Sequence, residues 1–343
     1  MDHIKTGVNI LATGQYLPTL IETNEELCKN LNIDPSWIID KTGITCRYKV
    51  ADGETCSSMA TQAALQAINK SNISIDDINL IIVCTFSGDY IFPAVSAKVH
   101  FNLKCKDTQI FDIQVNCCGL LTGLTVASER MFNDSDIKNA LVIGSEVNSK
   151  YINNCDINTS VYMSDGASAI ILSRCTDYYG ILGSYFFTDS TNYEAVRMRN
   201  GGSEYRLNNF ISSDTSNSPN SFEFMEMNGI ATWKQAITHL PKTITKACLK
   251  SNVKVTDIDF IIFHQANLNM IQYILKKMGF NENQSYINVD KIGNTGSASL
   301  GIALDEALNN NLIKNGQLVL FAAVGAGFTF GASVWRWGDK HDI

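Results

Sequence analysis

Residues 70–82 read Lys-Ser-Asn-Ile-Ser-Ile-Asp-Asp-Ile-Asn-Leu-Ile-Ile, and residues 250–262 read Lys-Ser-Asn-Val-Lys-Val-Thr-Asp-Ile-Asp-Phe-Ile-Ile. The offset from 70 to 250 is 180 residues, and each copy follows an Ala-containing helical pattern. Ala140-Leu141-Val142-Ile143-Gly144 is echoed by Leu318-Val319-Leu320-Phe321-Ala322 at a similar offset. A matching helix–loop–strand series is hard to obtain by chance, and a period this long means two related halves, not a solenoid. Short apolar strands alternating with helices imply a layered α/β architecture with strands covered on both faces. At 343 residues the chain is long enough for such a duplication. We expect halves spanning 1–175 and 176–343.

Composition excludes several classes of function. No apolar run approaches the roughly 20 residues that a membrane helix needs. Met1-Asp2-His3-Ile4-Lys5 has no basic stretch leading into an apolar one, so no secretory signal is expected. The ten cysteines then read as reduced thiols in a cytoplasm. No C-x-x-C or H-x-x-x-H spacing offers a metal site. A net charge of −7 with no basic helix argues against nucleic-acid binding.

The stretch from Ile110 to Leu124 passes from an apolar strand, through Asn116-Cys117-Cys118-Gly119, into a helix without charge until Glu129. A helix apolar nearly all round is buried, which places the turn at the bottom of a pocket. Free N–H groups and the helix dipole at such a turn favour a thiolate. Strand–turn–helix with a thiol is the outline of a nucleophile site. The competing interpretation is two small core residues, because unpaired cysteine is commonly buried.

The second copy of the repeat ends in Phe263-His264-Gln265-Ala266-Asn267. Asn267 can cap the following helix, which puts His264 at a strand–helix joint, where α/β folds bind ligands. Gly293-Asn294-Thr295-Gly296-Ser297-Ala298-Ser299 opens another helix, occupying in the second half the place of the Cys117 helix in the first. Pseudo-symmetry would then set Asn294 near Cys117. After a further apolar strand, Val324-Gly325-Ala326-Gly327-Phe328 could turn a backbone N–H toward a ligand oxygen. Elsewhere we expect a first strand over 4–12 closed by Gly14 and Pro18, and a helix capped by Ser57. We also expect a strand–turn–strand about Asp165-Gly166, and a polar loop excursion from Thr188 to Asn220.

Together these motifs resemble the thiolase-fold condensing enzymes, and most closely the β-ketoacyl-acyl-carrier-protein synthase III family. The resemblance runs from Trp37 and Thr42-Gly43-Ile44 to Gly327-Phe328-Thr329. It implies a duplicated α-β-α-β-α sandwich and a homodimer. It implies a Cys117, His264 and Asn294 triad, with an oxyanion hole from the N–H groups of Cys117 and Ala326. Trp37 matches the aromatic that stacks on the adenine of coenzyme A. Phe92 matches a residue that reaches into the partner's acyl pocket, and Lys234 matches a cation linked to carrier docking. Asn269 replaces a second such cation, and Gln114, Val115 and Asn116 replace small residues. The implied reaction is a decarboxylative Claisen condensation of an acyl thioester, on coenzyme A or a carrier protein, with a malonyl or β-ketoacyl thioester through an acyl-Cys117 intermediate, in fatty-acid or specialised-metabolite biosynthesis. It needs no metal or redox cofactor, and coenzyme A thioesters enter as substrates. Acyl carrier protein is a further expected partner. Alternatives are transfer of the acyl group to an alcohol or amine on the same scaffold, and a subunit of a heteromeric ketosynthase.

Overall fold

A computed structural model describes residues 6–176, 178–204 and 223–338. The N-terminal residues Met1–Lys5 and the later part of the polar excursion lie outside these. In the first part of the chain the elements are β1 (Thr6–Tyr16), β2 (Leu20–Thr23), α1 (Asn24–Leu31), α2 (Pro35–Thr42), β3 (Cys46–Lys49) and α3 (Cys56–Ser71). There follow β4 (Leu80–Cys84), α4 (Val95–Leu103), β5 (Gln109–Ile113), α5 (Gly119–Asn133), β6 (Asn139–Glu146) and β7 (Gly166–Thr176). Then come β8 (Gly180–Thr188), β9 (Val196–Met198), β10 (Met225–Met227), α6 (Gly229–Lys250), β11 (Phe260–Phe263) and α7 (Leu268–Met278). The chain continues with α8 (Val289–Ile292), α9 (Ser299–Asn309), β12 (Leu318–Gly325) and β13 (Thr329–Arg336).

Two sheets carry the fold, ordered β1-β7-β6-β4-β5 and β8-β13-β12-β11. Their pairing repeats. β4 runs parallel to β6, β6 antiparallel to β7, and β7 antiparallel to β1. β11 runs parallel to β12, β12 antiparallel to β13, and β13 antiparallel to β8. The first sheet alone extends further, to β5, parallel to β4. Both copies of the sequence repeat form a 3-10 turn (Ile75–Asp77 and Val255–Asp257) that leads into β4 or β11.

Helices α5 and α9 fill the space between the sheets. Leu120 and Leu124 of α5 meet Leu300 and Leu304 of α9, with Ile82 from one sheet and Ile262, Phe321 and Trp335 from the other. Burying each such leucine contributes roughly 2 kcal/mol. On the outer faces α3 and α4 cover the first sheet, and α6 and α7 cover the second. The result is the five-layer α-β-α-β-α sandwich. Among the described residues no helix is long and apolar enough to cross a membrane.

Three local expectations are corrected. β1 runs through Gly14 to Tyr16 instead of stopping there. A side chain at Gly14 would fall 2.4 Å from the Ala63 carbonyl and 2.5 Å from the Ala67 nitrogen, so the glycine serves close strand–helix approach. The cap of α3 is Thr55, in a capping box with Ser58. Ser57 lies inside the first turn and binds Asp89 instead. Asp165-Gly166 is not a hairpin turn. Only one strand, β7, starts there, and the Asp165 carboxylate accepts from the Val50 and Ser149 amides.

Candidate active site

Cys117 lies in a 3-10 turn, Asn116–Cys118, between β5 and α5. It is half-buried, whereas Cys118 is fully buried. The Cys118 sulfur faces the second sheet: a side chain placed at Gly331 would come 2.9 Å from it. The expected bias toward thiolate at Cys117 is not found in the resting protein. Burial first, and the Glu146 carboxylate second, push the Cys117 thiol up to about 12, and its own amide only partly opposes them. Desolvation outweighs the helix terminus at this depth.

His264 follows β11 directly and is 5% exposed. Its Nδ1 lies 2.6 Å from Ser299 Oγ, and the Gln265 amide donates to that same oxygen at 3.1 Å. While accepting there, the Ser299 hydroxyl can give its own proton to Nδ1, the arrangement that leaves the ring proton on Nε2. Burial lowers His264 to about 4, so the imidazole is neutral at physiological pH. Sequence reasoning did not find Ser299. Its signal was the helical start that it shares with the Asn294 turn.

Asn294 precedes α9 and is 6% exposed. Its Oδ1 accepts from the Gly296 amide at 2.9 Å, and its backbone N–H donates to the Tyr162 carbonyl at 2.8 Å. With Oδ1 occupied, Nδ2 is the end left to meet a ligand. The turn Gly296–Ala298 packs on the Cys117 turn, with Ser297 over Gly119. Pseudo-symmetric placement of the two helices thus brings Asn294 and Cys117 to one locus, and Ser299 joins His264 to it.

A buried acid backs this locus. Glu146, at the end of β6, accepts from Thr85 Oγ1, Ser87 Oγ and the Phe86 amide on one oxygen. Ser297 Oγ lies 2.8 Å from its other oxygen and 2.7 Å from the Cys84 carbonyl. A hydroxyl has one proton, and the carbonyl can only accept. Both contacts are satisfied when Glu146 is protonated and donates to Ser297. Burial pushes Glu146 up to about 7, in keeping with that neutral form.

The β12–β13 loop lies on the same turn. A side chain at Gly325 would fall 2.6 Å from the Val115 carbonyl and 2.9 Å from the Cys118 nitrogen. The following residue, Ala326, is thereby set beside Cys117. Trp37, 37% exposed, sits on α2, whose C-terminal carbonyls are bound by the start of α7. Asn267 Nδ2 donates to Lys41 O, and Asn269 Nδ2 to Asp40 O and Lys41 O. Asn269 thus fastens α2 beside the His264 joint instead of presenting a charge. Lys234 is exposed on α6, bordering a cleft of about 500 Å³ shared with Asn228 and His239. Phe92 is 84% exposed on the loop before α4 and is not brought into this chain's own locus.

Residues 111–190 match the 3-oxoacyl-[acyl-carrier-protein] synthase III family, and residues 248–337 match its C-terminal region. The chain is 36% identical over 333 residues to a β-ketoacyl-[acyl-carrier-protein] synthase III of Clostridium tetani, covering 96% of this chain and 98% of that one. It is 36% identical over 323 residues to that of Wolbachia pipientis wMel, covering 94% and 97%. The crystal structure of 3-oxoacyl-[acyl-carrier-protein] synthase III from Aquifex aeolicus superposes with a TM-score of 0.87 at 31% identity, covering 96% of this chain and 100% of that one. The priming β-ketosynthase of the R1128 polyketide pathway, 22% identical with a TM-score of 0.88 and 97% of each chain covered, shares the fold.

Proposed function

The chain belongs to the 3-oxoacyl-[acyl-carrier-protein] synthase III family and is a condensing enzyme of the acyltransferase class, and on that premise we propose how its own residues divide the reaction. The Cys117 sulfur attacks the carbonyl of an acyl-coenzyme A, forming a C–S bond, while the amides of Cys117 and Ala326 hold the tetrahedral oxyanion. The proton lost by Cys117 ends on the departing coenzyme A sulfur, which leaves as the free thiol. A malonyl thioester on acyl carrier protein then binds. His264 Nε2 and Asn294 Nδ2 donate to its thioester oxygen. As the C–C bond to the carboxylate breaks, charge builds on that oxygen as an enolate, so both donors bind the transition state better than the ground state. The enolate carbon attacks the acyl-cysteine, the sulfur leaves, and a β-ketoacyl thioester departs with carbon dioxide lost. No cofactor takes part, since coenzyme A enters as the substrate's leaving group.

The observation that carries this division is the packing of the Cys117 turn against the turn that orients Asn294 and, through Ser299, His264. A neutral His264 suits a donor that must not carry its charge before the enolate forms. Replacing either donor by alanine should slow malonyl decarboxylation about 100-fold or more while Cys117 remains present to be acylated. Decarboxylation at the wild-type rate in both His264→Ala and Asn294→Ala would reject these roles.

We read residues 1–175 and 176–343 as related halves and the active species as a homodimer. β5 ends the first sheet with its outer edge unpaired among the described residues. Beside it Ile91, Phe92 and Phe101 are 82%, 84% and 78% exposed, more apolar surface than an isolated subunit ordinarily leaves in water. Phe92 would then complete the partner's acyl pocket, and Trp37 and Lys234 would receive coenzyme A and the carrier.

A further inference from the structure

Asn116, the residue before the nucleophile, has φ +48°, in the left-handed region. Among residues with a side chain, Asn tolerates that region best. Glycine would meet the backbone requirement more simply, so the side chain needs its own reason. Asn116 Nδ2 donates to the Ala326 carbonyl at 3.0 Å, across 210 residues of chain.

That bond closes a frame around one amide. On one side of Ala326, Gly325 is pressed on the Val115 carbonyl and the Cys118 nitrogen, too close for any side chain. On the other side, Asn116 holds the Ala326 carbonyl. Further along, Phe328 and Asp189 exchange backbone hydrogen bonds at 3.0 Å in both directions. Both flanks of Ala326 are therefore held in place. The Asn116 carbonyl meanwhile accepts from the Gly119 amide, and the Val115 carbonyl from the Cys118 amide. Cys117's own N–H is not among those the turn uses. The two N–H groups assigned to the oxyanion hole therefore sit on two segments clasped by one side chain.

We propose that Asn116 is a positioning residue that sets the separation and aim of the Cys117 and Ala326 amides. This rests on the reading of those amides as the oxyanion hole. The donor matters as much as the shape. Aspartate fits the same backbone but offers the Ala326 carbonyl only acceptors and puts a negative charge beside Cys117. Glycine keeps the left-handed turn and loses only the tether. Serine or alanine lose both.

The test compares wild type, Asn116→Gly and Asn116→Asp. Acylation of Cys117 by an acyl-coenzyme A is timed by rapid-quench intact-protein mass, and malonyl-thioester decarboxylation and thermal unfolding are followed in parallel. Acylation should slow about 10-fold or more in Asn116→Gly, and further in Asn116→Asp, since a misplaced oxyanion donor costs up to the 100-fold or more of a deleted one. KM for the acyl thioester and the unfolding midpoint should stay close to wild type in Asn116→Gly. Decarboxylation, which draws on His264 and Asn294, should fall far less than acylation. Acylation of Asn116→Gly at the wild-type rate overturns the proposal. So does an equal loss of both half-reactions with a lowered midpoint, which marks a merely structural residue. Failure of wild type itself to load at Cys117 overturns the nucleophile assignment, and this inference falls with it.

Discussion

At the scale of single residues, burial favours the neutral forms of Cys117, Glu146 and His264. An ordinary imidazole titrates near 6.5, and burial lowers His264 to about 4. Between those values the unfolded chain binds a proton that the folded chain refuses. Stability is therefore intact above pH 6.5 and is lost as pH falls toward 4, by about 3 kcal/mol in all. His264→Asn should remove most of that acid sensitivity. Urea unfolding of both proteins near pH 7 and pH 4.5 measures it, and equal pH slopes would count against a buried neutral imidazole. Ser299→Ala tests the tautomer. Without the hydroxyl, either ring nitrogen can carry the proton, and kcat should fall roughly 10-fold with little change in KM for the acyl thioester. Burial, followed by the Glu146 charge, pushes the Cys117 thiol up to about 12, which disfavours a standing thiolate before substrate binds.

At the scale of elements, Glu146 joins the end of β6 to the Thr85–Ser87 segment after β4 and to the turn before α9. Cys56, Cys84, Cys117 and Tyr151 all feel its charge. Its pKa is raised from 4.5 to about 7, so the folded chain keeps a proton that the unfolded chain loses. The stabilisation is full below pH 4.5 and disappears as pH rises through 7. Glu146→Gln copies the protonated form, its carbonyl accepting where three donors converge and its amide donating to Ser297. The variant should lose this pH dependence, and at pH 8 its Cys117 should react faster with a thiol reagent than wild type. A slower reaction would show that the carboxylate does not oppose the thiolate. A second element-scale device is the clamp of α2 by Asn267 and Asn269. Asn269→Ala should raise KM for acyl-coenzyme A through Trp37 and leave kcat nearly unchanged.

At the scale of the whole molecule, the two sheets repeat one pairing scheme around a shared pair of buried helices, and the turns that carry Cys117 and follow Asn294 pack together where those helices begin. Much of this was legible in the chain itself. The 70–82 and 250–262 copies gave the duplication, and Cys117, His264 and Asn294 each stood at a strand or helix joint. Ser299 and Glu146 were not legible, because their importance lies in partners 35 and 151 residues away in sequence. Local rules see the helix terminus at Cys117 but not the burial and the Glu146 charge that oppose a thiolate there. β1 was cut short because Gly14 reads as a turn until α3 is known to press on it. Ile91 and Phe92 are exposed beside the β5 edge, where the proposed second subunit would pack. Phe92→Ser should therefore weaken self-association and alter acyl-chain preference together, which sedimentation velocity and substrate competition would follow. The central claim, that acyl transfer runs through Cys117, is tested most directly by intact-protein mass after brief exposure to a series of acyl-coenzyme A thioesters. Wild type and Cys118→Ala should gain the mass of one acyl group, Cys117→Ala should gain none, and added malonyl thioester should discharge the label. Loading that persists in Cys117→Ala, or that disappears in Cys118→Ala alone, would contradict the account.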